Sequence, residues 1–488
     1  MKVATAQEMR TIDRMAMEDY CYPGLILMEH AALALWRVIS SRFKSGMIAI
    51  VCGKGNNAGD GWALARLLNL SGYLVTVFQP DVEFNLPPDA RQNREMALKL
   101  GIRELPWSAL RSNPSLLSVT AVVDALLGTG FRGRVTGDLA ATIEMINSCT
   151  APVIAVDIPS GVEADTGKIS GPVVKADLTV TFGLPKVGLM VYPGREFAGE
   201  IIIDSIGLPE SLLERIPGSF YTLDAEQVRK LLPVRKPESH KGSNGHLLVI
   251  GGWPGMTGAP ALAGLAGLRS GAGLVTLGLR EGMNFLEKPM ELMVKTWPEL
   301  KFEDYRAILV GPGLSTNEDG RKILKLILSL QDIPCVLDAD ALNILATIDN
   351  WWEESRGSLI LTPHPGEMAR LTGVSTSQVQ EERLALVREK SKLWNLTLVL
   401  KGAATLVSSK GGTVYINATG NPGLATAGTG DVLAGIIGGL LAQGLEPVQA
   451  ATVGVNIHGR AGDLAAKEIG PVGMVAGDLL PRIPSVWK

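Results

Sequence analysis

The 488-residue sequence has few of the residues from which proteins build disulfide frameworks or transition-metal sites. Its four cysteines form no CxxC pair, and its five histidines show no HxxxH or HExxH spacing. A disulfide framework, a zinc site and a histidine-built metal site are therefore not expected. This cysteine usage fits a reducing compartment, and we expect a cytoplasmic protein.

A strong net charge and long apolar runs are also missing. The formal net charge of -3 at pH 7 gives no general attraction to nucleic acid or to an anionic membrane. The most apolar window, residues 432–442, is too short to cross a bilayer, and the charged N-terminal residues do not resemble a signal peptide. We expect neither a nucleic-acid partner nor a membrane.

The sequence is rich in short apolar runs that end in glycine. Its length predicts two domains, and the first half predicts two helices at 6–18 and 25–43. Near-continuous Val, Ile and Leu runs indicate a parallel sheet covered by helices on both faces. The strands predicted for this half are 47–53, 73–80, 120–128, 152–161, 176–183 and 199–207.

The pattern of short apolar strands is interrupted between residues 209 and 241, where a proline-rich, basic stretch occurs. We therefore predict a domain at 1–215, a linker at 216–235 and a second domain at 236–488. Both are expected to be doubly wound three-layer α/β/α domains with ligands at the carboxyl ends of their strands. The strands predicted for the second half are 246–252, 273–279, 306–313, 334–342, 358–367 and 396–408.

The segment Gly428-Thr429-Gly430-Asp431 predicts a loop that opens a helix. Backbone N–H groups at a helix start bind anions, and glycine lets a phosphate come close. An aspartate beside such a cup suits the removal of a proton from an alcohol that attacks a phosphate. The alternative is that Asp431 only caps the helix.

Other polar residues of the second half stand next to predicted strands. Asp338 and Asp340 suit Mg²⁺ or a hydroxyl contact, and Lys401 follows a strand where an adenine nucleotide would fit. Each has a plain alternative as a helix cap, a loop residue or a solvated charge. Together they favour phosphoryl transfer. The full set is Lys241, Asp338, Asp340, His364, Glu367, Lys401 and Gly402.

Residues 236–488 resemble the ADP/ATP-dependent NAD(P)H-hydrate dehydratases of the ribokinase-like superfamily. The resemblance lies in HKGSNGHLLVIGG, TPHPGE, LKGAAT and NPGLATAGTGDVLAG, in this order. It implies that Ala259, Gly313, His364 and Asp431 face the hydrated dinucleotide, with Asp431 as the base. It also implies that the nucleotide is held by Lys401, Gly402, Ala403, Ala404, Thr405 and Gly430.

The chemistry implied by this resemblance removes water from hydrated NADH or NADPH. Hydroxide leaves poorly, whereas phosphate leaves well, so the hydroxyl is first phosphorylated by ADP or ATP. Mg²⁺ would bridge the nucleotide phosphates. The resemblance is to prokaryotic-style fused chains, which favours ADP as the donor. The function implied by the resemblance is dehydration of the S hydrate.

The first half contains a second glycine-rich loop, GKGNNAGDGWALARLL at 53–68. It follows a strand and opens a helix but lacks the GK[ST] and GxGxxG spacings, so phosphate binding and a structural turn fit it equally well. Asn57, Asp124 and Ser160 belong to segments at the ends of three predicted strands and could converge as oxygen ligands. One carboxylate and no histidine suit K⁺ better than zinc.

Residues 1–215 resemble the NAD(P)H-hydrate epimerases, which implies a Rossmann-like domain that holds K⁺ at Asn57, Asp124 and Ser160. The NNAGD element departs from the usual NNGGD at Ala58, where alanine needs a backbone that is not left-handed. Asp157 is the candidate acid/base for interconverting the R and S hydrates, with a helix cap or a ribose contact as its alternatives. The implied hydrate contacts are Asn56, Asn57, Ala58, Gly59, Asp60, Gly128, Thr129, Gly130, Phe131, Arg132, Gly133, Arg134 and Asp157.

Two other functions are compatible with parts of the sequence. A kinase for a vitamin precursor, such as a hydroxyethylthiazole or a pyridoxine-like alcohol, would share the GTGD segment but leaves TPHPGE and the first half unexplained. The first half could also bind a dinucleotide or a lipoprotein without turnover. The fusion favours the joint interpretation, because an epimerase rescues the hydrate form that a dehydratase rejects. We also expect a homo-oligomer.

Overall fold

The computed structural model describes residues 1–82, 84–283, 289–355 and 357–487. The chain divides into two compact units, Lys2–Phe220 and Tyr221–Lys488, the second of which also includes Met1. Each unit is a mixed α/β domain built on a largely parallel sheet, and the predicted fold class is confirmed.

The first domain contains a seven-stranded parallel sheet. Successive residues of strand Met47–Cys52 alternate between two apolar clusters, so that Ile48 and Ile50 pack on one face while Ala49 and Val51 pack on the other. This alternation buries both faces of the sheet under helices. The strand order is Arg103–Pro106, Leu74–Gln79, Met47–Cys52, Ala121–Ala125, Val153–Val156, Leu178–Phe182 and Glu200–Asp204.

The first helix of the first domain starts at a clear sequence signal. A capping box between Thr5 and Glu8 begins Ala6–Asp19. Helix Gly24–Arg42 is long and apolar enough to cross a membrane, and its Leu27, Ala31 and Leu35 lie in the domain core. The other helices are Asn56–Leu70, Pro88–Lys99, Trp107–Ser112, Gly137–Ser148, Val187–Met190, Gly194–Phe197 and Glu210–Arg215, with a 3₁₀ turn at Pro114–Leu117.

The sheet of the second domain is parallel except at one side. Residues 396–408, predicted as one element, form a hairpin in which Leu400 pairs with Leu406. Glycine and small residues in Lys401–Thr405 make this turn, which a run of apolar letters conceals. From Val414–Ile416 onwards, the strand order is Val414–Ile416, Leu406–Ser408, Thr397–Leu400, Leu359–Leu361, Cys335–Leu337, Ala307–Val310, His246–Ile250, Leu274–Leu279 and Met293–Thr296.

Two helices of the second domain pack closely together because glycines line their contact. A Cβ on Gly435 of helix Thr429–Ala442 would lie 2.1 Å from the carbonyl oxygen of Ala263 in helix Gly258–Arg269. The other helices are Ala225–Leu231, Glu318–Leu328, Asp340–Leu345, Trp351–Glu354, Pro365–Thr372, Thr376–Glu381, Arg383–Leu393, Pro447–Ile469 and Ala476–Leu479. Short 3₁₀ turns occur at Trp297–Glu299, Phe302–Asp304, Pro422–Leu424 and Ile483–Trp487.

We expect Gly435→Ala to destabilise the second domain by about 1–3 kcal/mol, since overpacking against backbone outweighs the gain in helix propensity of about 1 kcal/mol. The matched control is Gly477→Ala, because a Cβ there meets nothing within 4 Å. Chemical denaturation of both variants measures the difference. Equal stability of the two variants would contradict the close helix contact.

Candidate active sites

The first domain has a cavity of about 930 Å³ at the carboxyl edge of its sheet. It lies where the loops after the neighbouring strands Met47–Cys52 and Ala121–Ala125 meet, which is the point where the strand order reverses direction. Open α/β sheets bind ligands at such switch points. Of the residues predicted to contact a ligand, those at its wall are Asn56, Asn57, Asp60, Gly128, Thr129, Gly130, Phe131 and Asp157.

Asp157 forms an ion pair with Lys186 at this cavity. The Lys186 side chain is 2% exposed, and its ammonium also donates to the Thr181 hydroxyl at 3.1 Å and to the Phe182 carbonyl at 2.8 Å. Asp157 itself has a left-handed backbone with φ 66°, which is rare for a residue with a side chain. The helix-cap alternative for Asp157 is wrong, because Asp157 heads no helix.

Two further carboxyl groups, Asp13 and Asp60, line the same cavity. Burial raises the pKa of Asp13 to about 6, against the attraction of Lys186. Burial and the charges of Asp157 and Asp13 hold the pKa of Asp60 well above its usual range. The cavity therefore combines a carboxyl group whose pKa is raised, Asp60, with an ion-paired carboxylate, Asp157.

Asn57, Asp124 and Ser160 converge behind the loop at residues 126–128. The Asn57 amide donates to the Leu127 carbonyl at 2.9 Å, and the Ser160 hydroxyl donates to Asp124 at 2.6 Å. Asp124 is fully buried, and burial raises its pKa to about 6. No lysine, arginine or histidine pairs with Asp124 among the residues that the structure describes. A buried carboxylate beside the uncharged side-chain oxygens of Asn57 and Ser160 fits a bound cation.

The remaining predicted contacts of the first domain lie off the cavity wall. Ala58 and Gly59 are in the first turn of helix Asn56–Leu70 and are buried in the core, and the helical backbone of Ala58 accommodates its methyl group. Arg132 pairs with Asp165 at the surface. Of the described residues predicted to touch the hydrate, Ala58, Gly59, Arg132, Gly133 and Arg134 are therefore not brought to the wall.

In the second domain, Gly428 precedes helix Thr429–Ala442 and has φ 87°, a conformation that favours glycine. Asp431 lies in the first helical turn, and Gly428 occupies the capping position, so the interpretation of Asp431 as a cap is wrong. Burial raises the pKa of Asp431 to about 7, with a further rise from Asp338 and a partial offset from Lys401. Asp431 can therefore take up a proton near neutral pH.

Lys401 is the cation of this site. Its ammonium lies 2.8 Å from an Asp338 oxygen and 3.7 Å from a Glu367 oxygen. Burial lowers its pKa, but Asp338, Glu367 and Asp431 outweigh burial, so that the pKa is raised. A Cβ on Gly430 would lie 3.5 Å from the ammonium, which places Lys401 beside the helix start. Neither a solvated Lys401 nor a capping Asp338 fits this geometry.

His364 and Glu367 belong to the same edge of the sheet. The Nδ1 atom of His364 accepts from the Gly366 N–H at 3.0 Å, and the backbone N–H of His364 donates to Glu367 at 2.7 Å. His364 thus caps helix Pro365–Thr372 and keeps half of its side chain exposed. Burial, Lys401 and Arg370 lower its pKa. Because Nδ1 accepts a hydrogen bond, a neutral imidazole here carries its proton on Nε2, which lies 3.5 Å from a Glu367 oxygen.

The predicted nucleotide segment, Lys401, Gly402, Ala403, Ala404 and Thr405, is the hairpin turn described above. Gly402 and Ala404 both have positive φ, 129° and 52°. Ala259 lies in the first turn of helix Gly258–Arg269, and Gly313 follows strand Ala307–Val310. Asp340 accepts from the Ser315 N–H at 2.9 Å.

Lys241 does not belong to this site. Its carbonyl approaches Gly273, immediately before strand Leu274–Leu279, so it lies at the opposite, amino edge of the sheet. Lys241 was predicted to belong to the site because the glycines around it resemble those of a ligand-binding loop.

Sequence reasoning missed three groups that the structure places in these sites. Asp13 and Lys186 reach the first cavity from a helix and a loop that carry no glycine-rich signal. In the second domain, the Thr362 hydroxyl donates to Asp338 at 2.7 Å. The sequence signal that could have found Lys186 is its position shortly after a predicted strand, in TFGLPK.

The two sites are matched by two family models. Residues 24–188 match the YjeF-related protein N-terminus, and residues 247–485 match the NAD(P)H-hydrate dehydratase model. The second domain also resembles the crystal structure of the ADP/ATP-dependent NAD(P)H-hydrate dehydratase from Bacillus subtilis, co-crystallised with ATP and Mg²⁺. That match has a TM-score of 0.51 and 36% identity and covers 55% of this chain and 97% of that chain.

Similarity to whole relatives extends over both domains. The bifunctional NAD(P)H-hydrate repair enzyme Nnr of Moorella thermoacetica is 43% identical over 100% of this chain and 97% of its own length. The enzyme of the same name from Coxiella burnetii is 39% identical over 98% of this chain and 97% of its own length. The chain therefore belongs to the family of bifunctional NAD(P)H-hydrate repair enzymes.

Proposed function

We propose that the chain repairs hydrated NADH and NADPH in two steps on its two domains. The first domain interconverts the R and S hydrates, and the second dehydrates the S form with ADP or ATP. The observation that carries this proposal is Asp431, a partly buried carboxyl beside Lys401 at a helix start that is opened by glycine. The family membership of the chain disfavours the vitamin-precursor kinase.

In the second domain, Asp431 would accept the proton of the hydrate hydroxyl as its oxygen attacks the terminal phosphorus of the nucleotide. The N–H groups that follow Gly428 and the Lys401 ammonium would stabilise the transferring phosphoryl group. The ring nitrogen then pushes out phosphate, and loss of a proton from the adjacent ring carbon gives NAD(P)H. The nucleotide ends one phosphate shorter.

The nucleotide would lie along the turn of Lys401–Thr405, with Gly430 at its phosphates. Mg²⁺ bound with the nucleotide would supply charge neutralisation of the phosphates. Asp338 holds Lys401 and the Thr362 hydroxyl, so its role here is to orient the ammonium. His364, Ala259 and Gly313 would contact the hydrate. We expect ADP to be the donor.

In the first domain, the neutral Asp60 would protonate the leaving hydroxyl while the ring nitrogen expels it as water. Water would add back from the other face and give its proton to the Asp157 carboxylate. The C–O bond is thus broken and re-formed with inverted configuration, and return of a proton from Asp157 to Asp60 through solvent restores the site. Asn57, Asp124 and Ser160 would hold K⁺, which would fix the loop at residues 126–128 that forms the cavity wall.

Asp431→Asn tests the dehydratase. We expect loss of at least about 10²-fold in the nucleotide-dependent regain of dihydronicotinamide absorbance from S hydrate, because the base is removed. The apparent Tm should not fall, since the substitution removes a charge whose burial opposes folding. Activity near that of the unaltered chain would contradict the role of Asp431.

The same residue sets a pH dependence. The base form of Asp431 is the carboxylate, which is present above its pKa of about 7 and lost below it. We expect kcat/KM for dehydration to fall about tenfold per pH unit below this value. A rate constant that stays flat down to pH 5 would exclude Asp431 as the base.

Potassium binding has a readout apart from activity. The Tm of the first domain should rise by a few degrees in KCl relative to tetramethylammonium chloride, because a bound ion stabilises the folded state. Asp124→Asn should abolish this rise, while the exposed-residue control Asp138→Asn should keep it. An equal rise in Tm in the unaltered chain, Asp124→Asn and Asp138→Asn would show that the ion binds elsewhere.

A further inference from the structure

The buried Lys186 is a lysine that nothing in the proposed chemistry uses directly. An ammonium group has three N–H donors. In Lys186 all three are taken, by the Asp157 carboxylate, the Thr181 hydroxyl and the Phe182 carbonyl. Lys186 lines the cavity but has no donor left for a ligand. Any function of Lys186 in this site must therefore act through Asp157.

The hydrogen bonds to Asp157 all reach one of its two carboxylate oxygens. Oδ1 accepts from the Lys186 ammonium, from the Thr181 hydroxyl at 3.0 Å and from the Phe182 N–H at 3.2 Å. Across the described part of the chain, no side chain or backbone group donates to Oδ2. Oδ2 is thus the oxygen that Asp157 can offer to a molecule in the cavity.

The backbone around Lys186 is held as firmly as its side chain. The N–H of Ala4 donates to the Pro185 carbonyl at 2.8 Å, and the N–H of Val187 donates to the Ala4 carbonyl at 3.1 Å. Asp157 is fixed in turn by its N–H, which donates to the Val180 carbonyl at 2.8 Å. Backbone hydrogen bonds therefore fix both residues, Asp157 through strand Leu178–Phe182 and the segment around Lys186 through Ala4.

We propose that Lys186 is a positioning residue of the epimerase, which together with Thr181 binds Oδ1 of Asp157 and so directs Oδ2 at the hydrate. This inference rests on the proposed epimerase activity of the first domain. The remaining charged side chains at the cavity wall are Arg10, Lys54, Asp81, Asp89 and Asp138, besides Asp13 and Asp60. Within the described residues, none of these side chains donates a hydrogen bond to the Asp157 carboxylate.

The test uses Lys186→Met in the full chain, with Lys186→Arg as the conservative variant and the exposed Lys175→Met as the control. Chromatography of the R and S hydrates gives kcat and KM for their exchange. We expect kcat to fall about 10²-fold in Lys186→Met with KM changed less than about twofold, since misplacing a reacting group acts on the chemical step. Lys186→Arg should recover part of the loss, and Lys175→Met should behave as the unaltered chain.

A thermal melt shows whether each variant has a folded first domain. A folded Lys186→Met with unchanged kcat would overturn the proposal. If Lys186→Met fails to fold, Thr181→Val decides, because it removes a second donor to Oδ1 and leaves the ammonium. A several-fold fall in its kcat supports the proposal, and an unchanged kcat overturns it. Failure of the unaltered chain to exchange the hydrates would instead refute the epimerase function itself.

Discussion

A buried lysine paired with a carboxylate organises each of the two sites. In the first domain Lys186 holds Asp157, and in the second Lys401 holds Asp338. Each carboxylate follows a parallel strand, and each lysine reaches it from the end of another strand. A buried charge without its partner costs several kcal/mol, so each pair constrains the loops that carry it. Each ion pair thus joins two of the loops that form its site.

The two pairs serve different chemistry because of the groups beside them. In the first domain all three donors of the Lys186 ammonium have partners, so the cavity presents a fixed Asp157 carboxylate together with Asp60, whose pKa burial raises. In the second domain Lys401 adjoins a helix start, where backbone N–H groups add to its charge, and Asp431 has a pKa of about 7. The first arrangement suits proton transfer to and from the oxygen of a hydroxyl group that leaves a carbon as water and adds back to it. The second suits transfer of a phosphoryl group to that hydroxyl.

Much of this could be predicted from the sequence, for reasons that are local. Buried parallel strands are continuous apolar runs, and a glycine loop before a helix marks an anion site, so the central strands and the segment ending in Asp431 were predictable. The short strands Arg103–Pro106, Met293–Thr296 and Val414–Ile416 were not predicted. The hairpin at 397–408 was merged into one strand because its turn, Lys401–Thr405, contains few polar letters. Lys186 and Asp13 were missed because their partners are distant in sequence and only the fold brings them together. Lys241 was included wrongly because glycine-rich segments also occur at the amino edge of a sheet.

The central claim is that one chain returns both hydrates to the reduced dinucleotide. The most direct measurement is the fraction of a mixed R and S hydrate preparation that regains dihydronicotinamide absorbance with excess ADP or ATP, before the hydrates exchange without enzyme. The account predicts complete recovery by the unaltered chain, and recovery of only the S share by Asp157→Asn. Recovery of only one share by the unaltered chain, or complete recovery by Asp157→Asn, would contradict it.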